Sequence, residues 1–371
     1  MKLIKRIKRL VPIWVLIVIG LVLALILLTL LSRSYRPLAD FINTYAATPI
    51  RALTSALTFL LPFSLFELIL LLLLPSVVLL IVLVVRDKAA WDVKFRRIFA
   101  ALGVIGILYS GYLTVMAIPY NTTPLADRLG ISEDENIERE ELYLATVTVR
   151  DRVNELSARI PRYGAESEMP YTPNEASRLI SLAYEAVREE HPFFYNFESR
   201  AKRVFFSDLM SDMGIGGIYT YFTGEANVNT SYPDYCYVFT VAHEFAHQRG
   251  INRENEANFM AFFVLSRSGD TYLEYSAYLN LYEYLASALY SLDKELYREV
   301  NAVLAPEARA DSAAASAVTR KHRDSPLYKL MNRVNDAYLK SNGTDGVVSY
   351  GYVVRLAVGY IQENGIPPTE G

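Results

Sequence analysis

The chain has 371 residues, 52% of them hydrophobic, with a formal net charge of −3 and a mean hydropathy of +0.17. Neither a basic helix nor a Gly-rich phosphate loop appears, and nothing in the composition suggests nucleic-acid binding. A single cysteine, Cys236, excludes an intrachain disulfide and reads as a small, buried apolar residue.

The chain opens with Lys2, Lys5, Arg6, Lys8 and Arg9, then runs without a charge from Val11 to Leu31. That run spans about 31 Å as a helix, enough to cross a bilayer, and no small-residue cleavage site follows it. Equally long runs extend from Leu65 to Val85 and from Ile98 to Ile118. Glu67 falls at the start of the second run, and Pro75 inside it is expected to kink it. The loop between the second and third runs carries Arg86, Lys88, Lys94, Arg96 and Arg97, whereas the loop between the first and second has Arg33, Arg36 and Arg51. The positive-inside rule therefore predicts a multi-pass protein of the cytoplasmic membrane with a cytoplasmic N-terminus and the region 119–371 outside. In the first loop, Ile42, Tyr45, Ala46, Pro49, Ile50, Leu53, Leu57 and Leu60 recur at helical spacing. They fit short helices lying on the membrane surface, or packed on the soluble region. Gly103, Gly106, Ser110 and Gly111 in the third run permit close helix contact, within one chain or between copies.

Beyond 118 the sequence becomes charged. Glu140 to Ile160 reads as an amphipathic helix; a Pro- and Gly-containing loop follows, and then a helix from Asn174 to Glu190 with Asn174 as its cap. His191 lies just past that helix and is read as structural. Arg203 to Phe206 and Gly217 to Phe222 are β-like, the latter continuing to Asn229 with a bulge at Gly224. The edge of this strand is either open to an extended peptide backbone or interior to a small sheet. Glu225 and Asn227 are candidates to line a cleft beside it. After Leu265 the chain reads as mostly helical: Tyr272–Leu292, 307–323, 325–340 and 348–363.

Only four histidines occur, and two of them stand in Val241-Ala242-His243-Glu244-Phe245-Ala246-His247. This is H-E-x-x-H, in which imidazoles one helical turn apart bind one Zn2+ and the glutamate serves as a base. Tyr235 to Ala246 is apolar nearly all round, so the helix is expected to be buried, and buried histidines and a carboxylate need a partner such as a metal. A third protein ligand is expected just after the corner that Gly250 makes in the left-handed conformation, with Asn252 capping the next helix. Glu254 and Glu256 lie about 200° apart on a helix, so only one can face the metal. Glu254 is preferred, with Asn258 one turn on to steady a histidine, and Glu256 is the reserve.

These segments resemble a little-characterised bacterial family of three-span membrane proteins with a C-terminal zincin-like, gluzincin-type domain. The resemblance rests on Leu61–Leu68, Thr123–Leu129, Tyr221–Asn229, His243–Asn258 and Gly346–Gly351. It implies three transmembrane helices followed by a mainly α (α+β) zincin-like domain with a small sheet. It also implies zinc-peptidase chemistry and site residues at Glu225, Asn227 and Tyr350. Tyr350, Tyr275 and His322 are alternative donors to an oxyanion.

Two readings of function remain open at this point. One is a membrane-anchored zinc metallopeptidase acting on peptide or protein substrates outside the cytoplasmic membrane, with Glu244 as base. The other is a catalytically silent zinc-binding module that recognises a peptide or cell-envelope component. A transporter is disfavoured, because the spans carry no polar path.

Overall fold

A computed structural model of the protein describes residues 10–133, 136–346 and 351–366. The chain divides into two units, one of 1–122 with 220–224, the other of 123–219 with 225–371.

In the first unit, α1 (Ile13–Ser34) leads into α2 (Arg36–Ile42), a π-type turn (Asn43–Ala47) and α3 (Thr48–Phe59). Helix α4 (Leu65–Arg86) starts at Ser64, whose hydroxyl accepts the Glu67 N–H, and it continues through Pro75 as one helix. Helix α5 (Trp91–Tyr112) passes through a second π-type turn (Leu113–Ala117) into a final 3-10 turn (Ile118–Asn121). Three helical stretches, Ile13–Ser34, Leu65–Arg86 and Trp91–Asn121, are thus long and apolar enough to cross a membrane. Residues 87–90 fall between α4 and α5, so the third stretch starts earlier than the hydrophobic run alone implied.

Two details show how this unit satisfies its polar groups. Arg51 is fully buried and donates to Asn43 Oδ1 at 2.8 Å and to the Val115 carbonyl at 2.7 Å, joining the two π-type turns. Helix α3 is amphipathic the wrong way round for a water-soluble protein. It buries Arg51, Ser55 and Thr58, while Leu53 and Leu57 are exposed, as expected of a helix facing lipid.

The second unit is mostly helical. Helix α6 (Leu125–Leu129) ends at Gly130, and α7 (Arg139–Ser157) begins with a reciprocal Glu138/Glu141 capping box. A two-residue-per-strand antiparallel hairpin, β1 (Arg162–Tyr163) and β2 (Glu166–Ser167), replaces the structureless loop expected there. Helix α8 (Pro173–Glu190) is capped by Thr172 with Glu175, not by Asn174, because Pro173 already occupies the first helical turn. Next come β3 (Ala201–Arg203), α9 (Ser207–Asp212), β4 (Gly217–Thr220) and β5 (Glu225–Val228). Residues 204–206 are not strand, and 221–224 form a turn between β4 and β5. Gly224, at φ 70°, therefore serves a turn and not a bulge. The strand order is β3–β5–β4, with β3 parallel to β5 and Lys202 opposite Asn227. Helices α10 (Asp234–Gln248), α11 (Glu254–Leu265) and α12 (Thr271–Leu292) form the centre of the unit. Helices α13 (Lys294–Ala302), α14 (Pro306–His322), α15 (Pro326–Ser341) and α16 (Val353–Asn364) follow. Phe245, Phe259, Phe262, Tyr275 and Tyr278 are among the side chains that α10, α11 and α12 bury in one continuous core.

Candidate metal centre

Helix α10 carries the motif and is buried along nearly its whole length. His243 and His247 leave one face a turn apart, with ring centroids 4.7 Å apart and planes at 88°. The helix stops at a left-handed Gly250 (φ 89°), after which the Ile251 N–H returns to the Ala246 carbonyl at 3.0 Å. That reversal starts α11 at Glu254 and brings its carboxylate back over the histidines. Glu254 Oε2 lies 3.2 Å from His243 Nε2 and 3.7 Å from His247 Nε2. The same corner orients His247, whose Nδ1–H donates to the Ile251 carbonyl at 2.9 Å and leaves Nε2 facing the carboxylate.

Burial works against ionisation of Glu254, but His247 and hydrogen bonds from both imidazoles outweigh it, holding the carboxyl well below the usual range. Burial likewise opposes charge on His247, and Glu254 overrides it, pushing the imidazole up to about 9. The arrangement is therefore an ion-paired cluster when protonated. Deprotonated, it is a set of two imidazole nitrogens and one carboxylate oxygen, all within 4.8 Å of one another. Two donors bound about 2.0–2.1 Å from one tetrahedral ion stand roughly 3.3 Å apart, and the two separations from Glu254 Oε2, 3.2 and 3.7 Å, bracket that spacing. Of the side chains around this corner, these three are able to hold a metal.

Glu256, two positions further on, faces elsewhere. Its Oε1 accepts the Leu125 N–H at 3.0 Å, at the start of α6, and pairs with Arg253 at 2.6 Å. Asn252 is buried and is not the cap of α11; Arg253 occupies that position, without a side-chain bond. Asn258 does not steady a histidine: its Nδ2 is buried without a hydrogen-bond partner among the described residues.

Glu244 stands beside the cluster, 3% exposed. Burial raises its carboxyl, offset in part by the two histidines. The Tyr219 N–H of β4 donates to this carboxylate, while Oε2 has no hydrogen-bond partner among the described residues. β4 can lie this close because residue 217 is glycine. A Cβ there would fall 2.5 Å from Glu244 Oε1 and 2.6 Å from Thr240 Cγ2. This backbone support had one sequence signal, the Gly216-Gly217 pair at the head of a strand. β4 is also an outer strand of its sheet.

The remaining candidates make contacts of other kinds. Asn227 is fully buried and directs its amide to the carbonyls of Ile218 and Glu225, both at 3.3 Å. Glu225 is buried too, near Lys202, whose ammonium is pushed down to about 8 by burial against the opposing pull of Glu225. Tyr275 donates to Asp311 and receives Arg162 at 3.4 Å, so its hydroxyl is committed inside the core. His322 pairs through Nδ1 with Asp212 at 2.7 Å. His191 caps the end of α8 and packs edge-on against Phe263 at 5.7 Å. Cys236 is a free, half-buried thiol, pushed well up by its surroundings and by Glu283. Tyr350 lies outside the described residues.

No curated protein and no solved structure matches the chain. Residues 43–358 match the model of a family described as "Protein of unknown function (DUF3810)", and on that match, which takes in both units, the chain belongs to this family.

Proposed function

We propose that the protein is a membrane-anchored zinc metallopeptidase whose second unit works outside the cytoplasmic membrane. The observation that carries this reading is the meeting of His243, His247 and Glu254 beside a buried Glu244 with an unpartnered carboxylate oxygen. Two imidazoles and one carboxylate form a donor set suited to zinc that leaves a fourth position open. Zinc, when bound, supplies the Lewis acidity that makes a water molecule nucleophilic near neutral pH.

The chain's own residues do the rest. Glu244 takes a proton at Oε2 and returns it to the leaving amine. The Tyr219 N–H holds the Glu244 carboxylate in place during both transfers. Burial keeps Glu244 closer to the pKa of a useful base than an exposed carboxylate would be. The outer position of β4 offers backbone groups to an extended peptide next to that base.

Zinc analysis and a peptide-library digest, each run on the full chain and on Glu244→Gln, test this. The variant keeps the three ligands, so it is expected to retain zinc. Its turnover of any peptide that the parent cleaves is expected to fall by about 10²–10⁴. A parent that binds zinc and cleaves nothing would instead support a catalytically silent zinc-binding module.

A further inference from the structure

The helices of the first unit hold a second feature unrelated to the histidine cluster. Helices α1 and α5 meet closely where α5 has glycines. A Cβ at Gly103 would fall 2.4 Å from the Trp14 ring, and one at Gly106 would fall 2.7 Å from Val18. Toward the charged end of the pair the helices part, and a cavity of about 530 Å³ opens between them. Ile13 and Trp14 wall it on one side, and Val93, Arg96 and Arg97 on the other. Positions 93, 96, 97 and 100 form one helical face, so both guanidiniums are delivered to the same opening.

The charges in the opening do not cancel. Arg97 pairs with Asp87, while Arg96 makes no hydrogen bond or ion pair among the described residues. The α5 N-terminus adds little to this charge, because Val93 and Lys94 already donate to the Ala90 carbonyl and Asp92 stands in the same turn. The cavity is mostly apolar, with a tryptophan wall and two arginines at its edge, at the end of two helices long enough to cross a membrane. A soluble anion would leave the Ile13 and Val93 surfaces unused, and an acyl chain alone would leave Arg96 unpaired.

We propose that this cavity binds the headgroup of an anionic phospholipid. The phosphate lies on Arg96, and the upper acyl chain runs along Ile13, Trp14 and Val93. Of the two arginines that line the cavity, Arg97 is matched by Asp87, so Arg96 supplies the cationic contact that favours a lipid of net negative charge over a zwitterionic one.

The two tryptophans of the chain, Trp14 and Trp91, make this measurable. The full chain with Trp91→Phe keeps Trp14 as its sole emitter, in the cavity wall. In phosphatidylcholine nanodiscs, a small fraction of acyl-brominated phosphatidylglycerol is expected to quench Trp14 as if enriched roughly five- to tenfold over brominated phosphatidylcholine. Arg96→Ala is expected to abolish the difference, and Arg96→Lys to keep part of it. Native mass spectrometry of lipid retained by the unsubstituted chain gives the same comparison without the Trp91 change. Equal quenching by the two lipids overturns the proposal, as does a preference that survives Arg96→Ala. Displacement of the quencher by inorganic phosphate overturns the lipid assignment in favour of a soluble anion.

Discussion

Glu254 and Glu256 are both acidic, both in the first turn of α11, and engaged in different work. The first meets two imidazoles; the second accepts the N–H that opens α6 and pairs with Arg253. Glu254→Ala is therefore expected to lose zinc, while Glu256→Ala keeps it and loses about 1 kcal/mol of stability through the missing cap. Metal analysis and thermal unfolding of the two variants check this; zinc lost only from Glu256→Ala would reverse the assignment. Zinc binding by the parent is expected to depend on pH. Without metal, His247 keeps its proton up to about pH 9, so binding releases that proton and apparent affinity rises as pH rises toward that value. The cluster was legible in the sequence because both of its devices are local. An i,i+4 pair fixes a helical face, and a left-handed glycine fixes a corner. Asn252 and Asn258 misled because a cap and a supporting amide depend on where a side chain turns, and Asn252 turns inward.

At the scale of elements, the motif helix depends on a strand that precedes it in sequence. Gly217 lets β4 lie on Glu244, and Tyr219 donates to that carboxylate. Gly217→Ala is expected to displace Glu244 while leaving His243, His247 and Glu254 untouched. Zinc content should hold, and turnover should fall roughly 10–100-fold from misplacement of the base. Unchanged turnover in a zinc-loaded Gly217→Ala protein would remove β4 from the site. The strand itself was only half legible. Residues 217–222 are rich in β-branched and aromatic side chains as a strand should be, yet the turn at 221–224 cuts it short, and pairing order is a long-range property. β1 and β2, two residues each, fall below any readable period. The Thr172/Glu175 box was readable and was overshadowed by the nearby Asn174.

At the scale of the molecule, the distribution of charge argues which side of the membrane the second unit occupies. Three crossings by the three apolar stretches would put the regions before the first and after the third on opposite sides. Lys2, Lys5, Arg6, Lys8 and Arg9 before the first crossing, and Arg86, Lys88, Lys94, Arg96 and Arg97 between the second and third, lie on one side together. The opposing loop carries three arginines, of which Arg51 is fully buried and bonded to Asn43 and Val115. The basic side is expected to be cytoplasmic. Protease added to intact spheroplasts should then cut beyond residue 122 and spare the 87–90 connection until the cells are lysed. Digestion confined to lysed cells would invert the molecule and remove extracytoplasmic peptides as its substrates, leaving the chemistry of the histidine cluster to be sought on the other side.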